Sequence, residues 1–204
     1  MFTLLAPLQL LVLSSLAAVG AASSVAQEKD RRTLLLLLLT RLTGFEVVVG
    51  KLGATLLTPM SMLLCSLPLF LTLPLLGGVS PRQVLEVFAV TGTTVFLAGS
   101  VGTVVGMWRE KTFQSIAMTV LLLLMLVGLG EIASSFLPLP ESMLLALSPP
   151  RALFAAASPL SSLSNESAFG VGLFIAVGLA LSCLVLVIGV ARVCLLYTSD
   201  AADE

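Results

Sequence analysis

Histidine is absent from the 204 residues, and only 10% of them are charged. The first absence removes imidazole-based metal sites, proton relays and Ser-His or Cys-His catalysis from this chain. The second excludes a soluble globular domain, in which about 25% of residues carry charge. The net charge of −1 provides no basic surface for nucleic acid. Cysteine occurs three times, too sparsely for a disulfide framework. Cys65 and Cys183 sit in apolar runs, where small buried thiols are expected. What the chain does have is apolar surface: 58% hydrophobic residues and a mean hydropathy of +1.14. The solvent implied for most of its length is lipid.

Five apolar stretches are long enough to cross about 30 Å of hydrocarbon: residues 2–22, 52–76, 84–107, 114–137 and 168–193. Each must be a helix, because lipid offers the backbone no hydrogen-bond partner. The expected fold is therefore an all-α polytopic membrane protein. The first stretch ends in small residues, as a signal peptide does, but it has no positive region before it. Its charges, Lys29, Arg31 and Arg32, come after it, which fits a span entering the cytoplasm.

Counting Lys and Arg on alternate sides gives Lys29, Arg31, Arg32, Arg41, Lys51, Arg109, Lys111 and Arg192 on one face. Only Arg82 and Arg151 fall on the other. The first face is expected to be cytoplasmic, with the N-terminus outside. Ala98, Gly102 and Gly106, and again Gly172, Ala176 and Ala180, form small-residue stripes suited to close helix approach. Pro59, Pro68 and Pro74 are expected to kink or interrupt the second span. The stretch 138–167 holds two apolar pieces, 143–147 and 151–157, too short to cross and cut up by prolines. A re-entrant or interfacial segment on the outer side is expected there.

Residues 23–51, on the cytoplasmic side, carry the most information. A charge cluster, Glu28-Lys29-Asp30-Arg31-Arg32, precedes Thr33 and six leucines, Leu34 to Leu39. The eight uncharged residues between Arg32 and Arg41 make about 12 Å of helix, far less than a bilayer needs. This piece must lie in the interface or against protein, either receiving force from a soluble partner or anchoring passively on lipid.

The pattern Glu28-Lys29-Asp30, Thr33-Leu34, Leu37-Leu38, Thr40, Glu46-Val47-Val48 and Gly50-Lys51 resembles the signature of type-2 ABC transporter permeases. Arg32 and Arg41 depart from it, standing where glycine and proline are usual, and leucine fills positions that are commonly polar. The resemblance implies a cytoplasmic coupling helix that docks on a separate ATPase subunit. It implies that the five spans are the second to sixth of a transmembrane domain over residues 1–193, and that the Pro-rich loop is the family's re-entrant element. It also implies an exporter in the bacterial plasma membrane, built from two permease units and two ATPases and needing no cofactor in this chain. The coupling residues would be Glu28, Lys29, Asp30, Arg31, Thr33, Leu34, Leu37, Leu38, Thr40, Glu46, Gly50 and Lys51. Residues 194–204 look like a translated sequencing adapter of the transposase type, so the protein is expected to continue beyond Val193.

Some features point elsewhere. Gly44 to Leu52 imitates a phosphate loop, but it has one residue too many between its glycines and Leu52 in place of the magnesium-binding Ser or Thr. ATP hydrolysis is therefore expected in a partner chain. Asn165-Glu166-Ser167 fits a short glycosylation sequon that arises easily by chance. Glu131 is the one acid well inside a span and is a candidate pathway residue, with a packed or interfacial role as the alternative. Glu86 is expected to reach water, and Trp108 to anchor a tight cytoplasmic turn. A secondary transporter or channel without an ATPase is the rival function, and mid-membrane charges or broken helices would favour it.

Overall fold

The computed structural model describes residues 2–30, 44–77, 79–108, 111–136, 141–158 and 165–200. Seven α-helices occupy them: α1 (Phe2–Asp30), α2 (Gly44–Thr72), α3 (Pro81–Trp108), α4 (Thr112–Phe136), α5 (Glu141–Leu147), α6 (Pro149–Ala157) and α7 (Asn165–Asp200). Five are long and apolar enough to cross a membrane, over Phe2–Gln27, Val48–Thr72, Pro81–Trp108, Thr112–Ala133 and Ala168–Ala191. The chain is an all-α polytopic integral membrane protein.

The second span lies four residues earlier than its apolar run suggests. Pro59 and Pro68 are accommodated within α2, but Pro74 is not. The chain tightens there into a 3₁₀ turn, Pro74–Leu76, entered by the Leu73 N–H bonding to Phe70 O at 3.2 Å. Proline has no N–H for the helical ladder and its ring crowds the carbonyl four residues back. Gly77 ends the turn at φ 85°, ψ 153°, a left-sided backbone that glycine adopts without strain. The expected boundary at Val193 also has no structural mark, since the α7 backbone continues to Asp200.

α3 is the central helix. Of its apolar window 72% is buried, against 11–28% for the other four spans. Its small residues set the contacts. A Cβ on Gly102 would lie 2.7 Å from Ala18 O, and one on Gly106 would lie 2.9 Å from Val25 Cβ, so α1 packs directly on this stripe. Leu56 and Leu63 of α2 approach Gly99 and Gly92, while Gly178 and Gly189 of α7 approach Thr93 and Val104. These pairs fix direction: α1 and α7 run parallel to α3, and α2 runs antiparallel. At one end of the bundle Phe70 stands between Phe2 and Phe88, with ring centroids 6.0 and 5.4 Å away and edge-to-face angles of 70° and 77°.

The other small-residue stripe behaves differently. Gly172, Ala176 and Ala180 face outward, and a Cβ on Gly172 would meet nothing within 4 Å. α7 buries Val171, Phe174, Gly178, Ser182 and Gly189 instead. Both faces of α7 carry small residues at spacing four, and the one carrying Phe174 gains more apolar contact. Cys65 and Cys183, expected to be buried, are also exposed on the apolar outer surface.

Candidate functional site

The coupling segment predicted from the sequence runs from the end of α1 to the start of α2. Arg31, Thr33, Leu34, Leu37, Leu38 and Thr40 lie outside the described residues. The flanks are placed. Glu28, Lys29 and Asp30 form the last turn of the α1 backbone. Glu46 is exposed in the first turn of α2, where a carboxylate favours the positive helix end. Gly50 is exposed, and Lys51 is half-buried at the start of the span, consistent with a long cationic side chain running along apolar surface. Because α1 and α2 are antiparallel, these flanks share the bundle end opposite Phe2 and Phe70. Trp108, exposed on the outside of the bundle, ends α3 at that same end.

At the other end the chain between α4 and α7 folds back on the spans. α5 and α6, of seven and nine residues, are about 10 and 13 Å long and cannot cross. α6 nevertheless buries Pro149, Ala152, Leu153, Ala156 and Ala157. It packs against α1, α3 and α7, as a re-entrant element does.

Two polar ties hold this hairpin. The first is a capping box that opens α3. The Ser80 N–H donates to Gln83 Oε1 at 2.8 Å, and the Gln83 N–H donates to Ser80 Oγ at 3.3 Å, with Pro81 between them. Gln83, buried at 3% exposure, also donates from Nε2 to Ser158 O at 2.9 Å, binding the end of α6 to α3. The second is an ion pair. Arg151 Nε donates to Glu131 Oε2 at 2.9 Å, joining the first turn of α6 to α4. Both side chains are 39% exposed. At that exposure solvent screening limits the pair to about 0–1 kcal/mol.

Glu131, singled out in the sequence as an intramembrane acid, is therefore tied to a guanidinium. Its neighbour Gly130 is the point of closest approach, since a Cβ there would lie 2.7 Å from Leu147 O and 3.2 Å from Ser148 Cβ. Arg151 was visible in the sequence only as one of two outer-face cations. The signal for its role was a lone arginine in a proline-cut apolar loop, which needs an anion nearby. The capping box was legible as Ser80-Pro81-Arg82-Gln83. Glu86 pairs with Arg82 one turn away at 2.9 Å, on the exposed side of the helix.

Between α1 and α2 a groove of about 280 Å³ faces outward, lined by Leu5, Leu13, Met62 and Phe70. Its polar point is Gln9, which donates from Nε2 to Ser66 Oγ at 3.0 Å. Such interhelical bonds are common glue inside membranes. Among the described residues no group of three His, Cys, Asp or Glu side chains could hold a metal ion. Comparison with family models, with curated proteins and with solved structures gives no match to this chain.

Proposed function

We propose that this chain is the membrane-spanning permease subunit of an ATP-driven exporter of the ABC-2 type. The observation that carries the reading is the leucine segment between Arg32 and Arg41, too short to traverse lipid and joining two antiparallel spans at the cation-rich end. A motor that works from the cytoplasm needs such a handle, placed where a push is transmitted along two helices at once. Glu28 to Asp30 at the end of α1 and Glu46 to Lys51 at the start of α2 flank it.

In this reading a separate ABC ATPase binds and hydrolyses ATP and closes on residues 28–40. The push shifts α1 and α2 relative to α3. A shift of this kind requires contacts that differ between the two states, and the coupling segment supplies those on the motor side. Two permease units and two ATPases complete the assembly, in a bacterial plasma membrane.

The test is co-expression with an ABC ATPase encoded beside this chain, followed by co-purification. Replacing Leu34 to Leu39 with serine is expected to abolish co-purification while the five-span bundle still inserts. An intact complex after that replacement refutes the docking assignment. Transport by purified permease without ATP or an ATPase would instead establish the secondary-transporter reading, although the Glu131–Arg151 pair lies at a span end rather than at the mid-membrane depth that reading calls for.

A further inference from the structure

We infer that the α5–α6 hairpin is a two-state latch, in which the Glu131–Arg151 ion pair holds the joint docked on α4 against the cost of the hydroxyl buried at Ser148. The inference does not depend on an ATPase partner, because it concerns only the hairpin and α4.

Ser148 is the joint between α5 and α6, with extended backbone at φ −127°, ψ 121°. It is wholly buried, and among the described residues its Oγ has no hydrogen-bond partner. Local sequence explains why. Ser148 stands at the N-cap of α6, whose hydroxyl ordinarily accepts from the second or third helical N–H. Prolines 149 and 150 fill the first two positions and have no N–H to give, which leaves only the Arg151 N–H at the third, and no side-chain cap bond is made to it. The joint lies directly against Gly130 of α4, where a Cβ would stand 2.7 Å from Leu147 O and 3.2 Å from Ser148 Cβ. Docking therefore removes a hydroxyl from water with nothing in exchange, which opposes docking.

The ion pair acts in the other direction. It lies one turn along α6 from Ser148, and its acid is the residue next to Gly130. At 39% exposure it is a modest tie rather than a lock. Opposed terms of similar size at one contact are what a bistable element requires. The far end of α6 is fixed differently, by Gln83 on Ser158 O and by the burial of Leu153, Ala156 and Ala157. Release therefore frees the joint and the first turn of α6 from α4, between α5 on α7 and the fixed Ser158 end. α5 itself packs on α7 and buries Ala146, so it stays in place while the joint moves.

Hydrogen exchange read by mass spectrometry over residues 141–151, on the protein in lipid nanodiscs, tests the latch. Glu131→Gln and Arg151→Gln are each expected to speed exchange there roughly two- to fivefold. Ser148→Ala, which removes the unpaired hydroxyl, is expected to slow it roughly fivefold or more. Exchanging the charges, Glu131→Arg with Arg151→Glu, should return exchange towards the parent value. Amides of α3 report the global fold in the same data. Unchanged or faster exchange in Ser148→Ala overturns the latch, and that variant is informative even if the charge variants fail to fold. Changes of equal size in α3 also overturn it, because the effect would then be global rather than local.

Discussion

Gly102 of α3 lies so close to Ala18 of α1 that a Cβ would stand 2.7 Å from the Ala18 carbonyl oxygen and 3.0 Å from Ala21 Cβ. The obstacle is backbone, which cannot swing aside as a side chain can. Together with Gly106 against Val25, it makes the α1–α3 seam one of close backbone approach.

Gly102→Val is accordingly expected to push α1 off α3 and to cost about 1–3 kcal/mol, the usual range for overpacking. Gly172→Val, on the outward stripe of α7, serves as its control and should fall within about 0.5 kcal/mol of the parent. Thermal unfolding in detergent, followed by size-exclusion recovery, distinguishes the two. Equal loss in both variants would mean that α7 buries its Gly172 face.

Phe70 bridges Phe2 and Phe88 and so ties three spans together at one end. Phe70→Ala deletes a ring from a site only 4% exposed and should cost about 3–5 kcal/mol. Phe113→Ala, at a ring 83% exposed, should cost little, since that ring has no burial to lose. The same melting assay ranks them, and a reversed order would show that the aromatic junction is not part of the core.

Gln83→Ala removes the bonds from Ser80 N–H and to Ser158 O while leaving the α3 backbone intact. Loss of the cap is expected to cost about 1 kcal/mol. It should speed amide exchange at both 81–84 and 155–158, segments far apart in sequence that share this side chain. Faster exchange at the first segment alone would show that Gln83 caps α3 without holding α6.

The five crossings were legible because length and hydropathy are local quantities, and lipid enforces helix wherever both are high. Boundaries were less so: the apolar run 52–76 continues through Pro74, but the helix cannot. Which face of α7 packs was not legible, because small residues recur at spacing four on two faces and only the partner helix decides between them. The acid at Glu131 could be found from its setting alone. Its partner could not, because Arg151 is reached only through α5 and the joint into α6, a fold-back that depends on burying Ala152 and Leu153 against other spans. The twelve coupling positions came from motif similarity. Six of them fall outside the described residues, so their test belongs to biochemistry rather than to geometry.

The direction of each crossing yields the last prediction. Phe2, Phe70 and Phe88 meet at one end, while Val25 meets Gly106 and Val104 meets Gly189 towards the other. Arg82, at the start of α3, and Lys111, just before α4, must then emerge on opposite sides. The cation bias assigns the Lys111 side to the cytoplasm. In a background with the three native cysteines replaced, Arg82→Cys should react with a membrane-impermeant maleimide on whole cells. Lys111→Cys should react only after the membrane is permeabilised. Labelling in the reverse order would invert the protein and place the leucine segment outside, beyond the reach of any cytoplasmic motor. Labelling of both positions on intact cells would contradict the crossing of α3 itself.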